Sequence, residues 1–166
     1  MNKRGDFTGV LFLLVSISVF AIFLLIVGTI VPQISTAVAE KIGISEDINN
    51  SLGVATSVAE NTLPTIWMIL FGGLLLGLFA TSFFIDTHPI FVPIFVILLV
   101  IAIIVAIPLS NAYESLSENA HLSGAAAQQG VIAFMMLNLP LVTFIIGLLS
   151  LLIAFAKPGG GQASLG

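Results

Sequence analysis

Charge is the scarcest thing in this chain. Only 7% of its 166 residues are Asp, Glu, Lys or Arg, against about 25% in an average soluble domain. A water-facing surface cannot be built from so few, and with 58% hydrophobic residues the class is an integral membrane protein. Cysteine is absent, which excludes disulfides, a thiolate metal site and a cysteine nucleophile. The formal net charge of −4 argues against nucleic acid as a partner, since phosphate recognition needs basic patches. No cofactor motif and no phosphate-binding glycine loop is present.

What is there instead is long apolar text. The run FVPIFVILLVIAIIVAIPL, residues 91–109, holds no charge, amide or hydroxyl. As a helix it is roughly 28 Å long, close to the hydrocarbon thickness of a bilayer. Three further runs, 7–31, 65–85 and 131–156, are similarly free of charge. The expectation is an all-α fold, an integral membrane four-helix bundle with short amphipathic surface helices. Its spans lie at about 7–31, 65–85, 90–109 and 131–156. One transmembrane domain then covers 1–157, and 158–166, Pro158 followed by GGGQASLG, reads as a flexible tail after Lys157.

The connections carry their own pattern. Pro32 marks a kink or an end for the first span. Beyond it Ile34, Val38 and Ile42 recur every four residues, and Gly43 would stop that short helix. Ser45 reads as an N-cap, with Glu46 and Asp47 in the first turn where the helix dipole favours them. Ile48, Leu52, Ala55 and Ala59 form the apolar stripe of a second surface helix. Asn49-Asn50-Ser51 matches the N-glycosylation pattern, a tripeptide too common by chance to carry weight. Pro64 suits the first turn of the second span, and Trp67 and Tyr113 read as anchors at the membrane boundary. The stretch 124–130 reads as a linker.

Small residues mark where helices can meet. Gly73, Gly77 and Thr81 are spaced by four and share one face, with Gly72 and Ala80 beside them. In lipid, where helices gain nothing by hiding from water, close backbone approach over such a face supplies the attraction. Thr143, Gly147, Ser150 and Ala154 make a second face in the last span. Asn138, with Pro140 two residues on, is the amide inside that span. It is expected to hydrogen-bond to a neighbouring helix, and also to satisfy a carbonyl freed at the proline.

Four spans put both ends of the chain on one side. Lys3, Arg4 and Lys157 fall there, and Lys41 on the other side. The positive-inside rule then places both termini and the 86–89 turn in the cytoplasm. The far side carries Glu40, Glu46, Asp47, Glu60, Glu114 and Glu118. Of these, Glu46, Asp47, Glu60, Glu114 and Glu118 are expected to face partners. Lys3-Arg4 ahead of an apolar run has the form of a secretory leader, but 7–31 is longer than the roughly 7–15 residues of such a core. Lys3-Arg4-Gly5 also looks like the processing site of archaeal type IV pilins. Three further apolar runs argue against that reading, since a pilin has one.

Candidates for chemistry are few. Asp86 and His88 are the nearest thing to a catalytic or metal pair, yet a metal needs a third ligand and none is near in sequence. A solvated turn, with Asp86 capping the following helix, explains them. The apolar runs hold no ionisable group, whereas proton-coupled carriers and most pumps need one at membrane depth. Intramembrane proteolysis would need paired aspartates, a Ser/His pair or HExxH, and none is present. No enzyme is expected.

Thr87-His88-Pro89-Ile90-Phe91, the aliphatic span after it, Ser110-Asn111-Ala112-Tyr113-Glu114 and the opening Met1-Asn2-Lys3-Arg4-Gly5 carry a resemblance. Over about 65–156 the chain resembles small multi-span membrane proteins encoded by membrane-containing viruses and proviruses of microbes. That resemblance implies a structural component of a virion or its internal membrane, with no catalytic residue. The expected function is thus a structural or assembly protein in contact with the lipid bilayer, self-associating or bound to other virion subunits. A holin-type pore and an accessory subunit of a transport or secretion complex stand as alternatives.

Overall fold

Lipid offers no hydrogen bonds to a peptide backbone, so charge-free text of this length must close its bonds within itself as helix. The computed structural model describes residues 7–42, 46–84 and 91–156, and among them every regular element is helical. The order is α1 (Phe7–Ile42), α2 (Glu46–Ser57), a π-helical turn (Val58–Thr62), α3 (Leu63–Phe84), α4 (Phe91–Ser117), α5 (Ser123–Gln128), α6 (Gly130–Leu137) and α7 (Leu139–Ala156). Three helical stretches, Leu14–Glu40, Glu46–Ala80 and Val92–Ser117, are each long and apolar enough to cross a membrane. A fourth exists if α6 and α7 count as one bent span. These helices fit a multi-pass membrane protein.

The boundaries differ from the sequence reading wherever proline was taken as punctuation. Helix α1 does not end at Pro32 but runs on to Ile42, so the stripe Ile34 and Val38 belongs to the same helix. Proline removes one backbone bond, whereas ending the helix would release a whole turn of carbonyls. The extension also packs against α2. Likewise α4 passes through Pro108 and continues to Ser117, beyond the expected end at 109.

No break separates the expected surface helix from the second span. Instead the π turn joins them, with the Leu63 N–H bonded to the Val58 carbonyl. The ring of Pro64 would collide with the carbonyl four residues back, that of Glu60, in a regular helix. One widened turn just before it takes up that conflict. Helix α2 does carry Glu46 and Asp47 in its first turn, but no residue of it is buried, and Ile48 is half exposed. Gly43 and Ser45, and the turn with Asp86, His88 and Pro89, lie outside the described residues.

The stretch expected to be a linker is also helical. Ala125 and Ala126 in α5, and Gln129 behind it, are buried against α1. Helices α6 and α7 meet at an 80° bend. The core gathers Ala21, Leu24 and Leu25 from α1, Trp67 from α3, Tyr113 from α4 and Met136 from α6. It is thin. Only 11% of the most apolar window of the second and third candidate spans is buried in the protein. In water such a surface would aggregate, whereas in lipid it is simply solvated.

Candidate functional site

Among the described residues no reactive constellation emerges, and the functional geometry is that of helix contacts. Among the described residues no three His, Cys, Asp or Glu side chains gather as a metal site would require. A recess beside α1 is lined by Pro32, Gln33, Thr36, Ala37 and Glu40. All five sit on one helix, so it is an open groove and not a chamber.

Long-range hydrogen bonds tie the described helices together, each with a side-chain donor on a backbone carbonyl. Trp67 Nε1 donates to Ile17 O at 3.4 Å. Gln129 Nε2 donates to Leu24 O at 2.9 Å. Ser110 Oγ donates to Leu137 O at 2.9 Å. Ile17 and Leu24 are seven residues apart, so both acceptors lie on one face of α1. Each of these carbonyls already belongs to a helix, and its second lone pair takes the extra donor. Trp67 is therefore not a peripheral anchor. It is 2% exposed and stacks on Phe71 with ring centroids 5.1 Å apart. Tyr113 is likewise buried, with no exposed surface.

Close approach occurs at two glycines. A Cβ on Gly28 would stand 2.8 Å from Gln129 Nε2 and 3.5 Å from Ala125 Cβ. A Cβ on Gly147 would overlap the side chain of Leu99. Gly147 thus lies where the small-residue face of the last span was expected to make contact, and Ser150 on the same face is buried. Thr143 is half-buried. Helix α4 answers with its own row, Ala102, Ala106 and Ser110, all buried and spaced by four. That row stands in the sequence at helical spacing, but two of its three members are alanines inside an aliphatic run and do not stand out from it. Gln129 was missed for another reason: it stands just outside the fourth apolar run.

Gly72, Gly73 and Gly77 behave differently. A Cβ added to any of them would meet no atom within 4 Å, and Gly73 is exposed. Among the described residues, none stands where a Cβ on these glycines would reach. Thr81 sits on the same helix, and its side chain lies outside the described residues. Asn138 does not reach a neighbouring helix. Its Nδ2 donates to Phe134 O at 2.8 Å, one turn back, at the corner between α6 and α7. The Phe134 carbonyl also accepts the Asn138 backbone N–H at 3.2 Å, so the side chain meets neither expectation: it reaches no other helix, and the carbonyl it bonds is not one freed by Pro140.

The acidic residues line no common site. Glu46, Asp47, Glu114 and Glu118 are exposed and Glu60 is half-buried. Among the described residues, the buried atoms Thr56 Oγ1, Tyr113 Oη, Gln129 Oε1 and Ser150 Oγ have no hydrogen-bond partner in the protein. No protein-family model, curated protein or solved structure matches this chain.

Proposed function

We propose that this chain is a non-enzymatic structural membrane protein that crosses the bilayer four times and assembles with copies of itself. The observation that carries the reading is the contrast among its glycines. Gly28 and Gly147 are small because a neighbouring side chain occupies the space a Cβ would take. Gly73 is small with open space around it, on a helix whose apolar surface is turned outward. A second helix laid on that face would find the close backbone approach that stabilises association in lipid. Thr81, one further turn beyond Gly77, extends the face.

The charge-free runs support a role without chemistry. Both termini lie in the cytoplasm under this reading, because Lys3, Arg4 and Lys157 share that side. The exposed acids on the opposite side, Glu46, Asp47, Glu114 and Glu118, then present a surface to partner subunits. A lipid-containing assembly such as a virion is the setting the resemblance favours.

The test is the oligomer in lipid. Cross-linking and native mass spectrometry in nanodiscs should show an ordered oligomer for the parent chain. Gly73→Leu should dissociate it while the single chain keeps its helical content and melts no lower than the parent. Unaltered assembly of Gly73→Leu would remove the proposed face. Leakage of vesicles carrying the parent chain would point to a pore instead.

A further inference from the structure

The geometry points to α6 as a helix that lies in the plane of the membrane, with Val131, Phe134 and Leu137 inserted among the lipid chains just beneath the headgroups. This rests on the chain being embedded in a bilayer, and not on its self-association.

The depth follows from α4 and α7. Gly147 packs against Leu99 and the Leu137 carbonyl receives Ser110 Oγ. The contact partners thus descend from Gly147 in α7 to Leu137 at the end of α6 as α4 advances from Leu99 to Ser110, and α4 and α7 run antiparallel. Leu99 is near the middle of the apolar run 91–109, so α7 spans the same layer. Ser110 is the first polar residue after that run, and the exposed Asn111, Glu114 and Glu118 follow it. The corner joining α6 to α7 thus sits where α4 leaves the hydrocarbon. At its other end α6 is tied by Gln129 to Leu24.

The direction follows from the bend. Spanning helices tilt by about 20° from the bilayer normal on average, so a helix at 80° to α7 lies within about 30° of the membrane plane. Its two ends, Gln129 and Asn138, have non-helical backbone (φ −92°, ψ 39° and φ −106°, ψ 22°). Such backbone is tolerated at membrane depth only where protein or water covers it. Here Gln129 is 3% exposed, and at Asn138 the backbone N–H donates to Phe134 O while its carbonyl accepts from Val142 N.

The faces complete the argument. Ile132 and Met136 turn into the core. Val131, Phe134 and Leu137 are 51%, 65% and 42% exposed and form one stripe at helical spacing. The stripe continues into exposed Leu141 on α7, so the same lipid that solvates the span reaches α6. An apolar face burying about 5–10 Å below the headgroups is the usual habit of an in-plane helix. Glu114 and Glu118 nearby favour uncharged or zwitterionic headgroups over anionic ones.

The absence of cysteine makes the test direct. Single Phe134→Cys and Ile145→Cys chains carry a nitroxide label and are reconstituted in phosphatidylcholine vesicles. Collision with oxygen, which concentrates at the bilayer centre, is compared with collision with a water-soluble nickel chelate. Ile145, exposed on α7 beside the Gly147 level, is the deep reference. The oxygen-to-nickel ratio at Phe134 should fall several-fold below that at Ile145, yet stay above that of a label at exposed Glu118→Cys. A Phe134 ratio equal to that of Ile145 would make α6 part of a span and overturn the inference. Low collision with both reagents would mean protein covers the stripe, and would also overturn it. A water-like ratio at Ile145 would sink the membrane reading itself, and this inference with it. Val131→Cys repeats the measurement if Phe134→Cys does not fold.

Discussion

The side-chain amide of Gln129 donates to the main-chain carbonyl of Leu24, 105 residues earlier in the chain, over 2.9 Å. The contact depends on Gly28, one turn further along α1, whose missing side chain leaves the space that the amide nitrogen fills. One bond thus links the break between α5 and α6 to the middle of α1. The other half of the same amide, Oε1, is buried with no partner in the protein.

That asymmetry predicts how Gln129 responds to substitution. Gln129→Leu loses the bond to Leu24 but also removes the unpartnered oxygen, so it should cost less than about 1 kcal/mol. Gln129→Glu replaces the donor nitrogen by a second acceptor in an apolar setting and should cost about 3 kcal/mol or more. Unfolding titrations in mixed micelles measure both. Equal effects of the two changes would mean that the amide donor is irrelevant to the packing.

Gly28→Ala tests the same space from the other side. Its Cβ displaces the Gln129 amide, losing one bond of about 0.6–2 kcal/mol. It gains about 1 kcal/mol of helix propensity, so the net change in the parent chain should be small. In a Gln129→Ala background only Ala125 stands near, at 3.5 Å. There the propensity gain should appear undiminished and Gly28→Ala should stabilise. A double-mutant cycle by thermal melting reads the coupling directly, and strict additivity would separate the two residues.

At Gly147 an added Cβ would overlap a terminal methyl of Leu99 and crowd its other methyl and its branch carbon, so the whole Leu99 side chain has to shift. Gly147→Ala should therefore destabilise by about 1–3 kcal/mol. Leu99→Ala in the same chain should return part of that loss by vacating the space. The melting temperature of the single and double variants is the measurement. Full stability of Gly147→Ala alone would show that α4 and α7 are not pressed together at this level.

Several features were plain in the text of the chain because lipid leaves the backbone no choice. Four charge-free runs must be helix, and residues 7–31, 65–84, 91–109 and most of 131–156 are. Glu46 and Asp47 could be set in a first helical turn from local chemistry alone. So could the exposure of Glu114 and Glu118, which have no reason to leave water.

What only the tertiary structure decided is which permission each residue uses. Glycine permits close approach without naming a neighbour, so Gly73 and Gly147 read alike in sequence. One faces open space and the other faces Leu99. Proline permits a break without requiring it: Pro32 and Pro108 sit inside continuous helices, and Pro64 follows a π turn. The 80° corner at Asn138 and the burial of Gln129 depend on α4 and α1 supplying partners from far along the chain. Apolar periodicity describes one helix at a time, and the energy that separates these outcomes lies between helices.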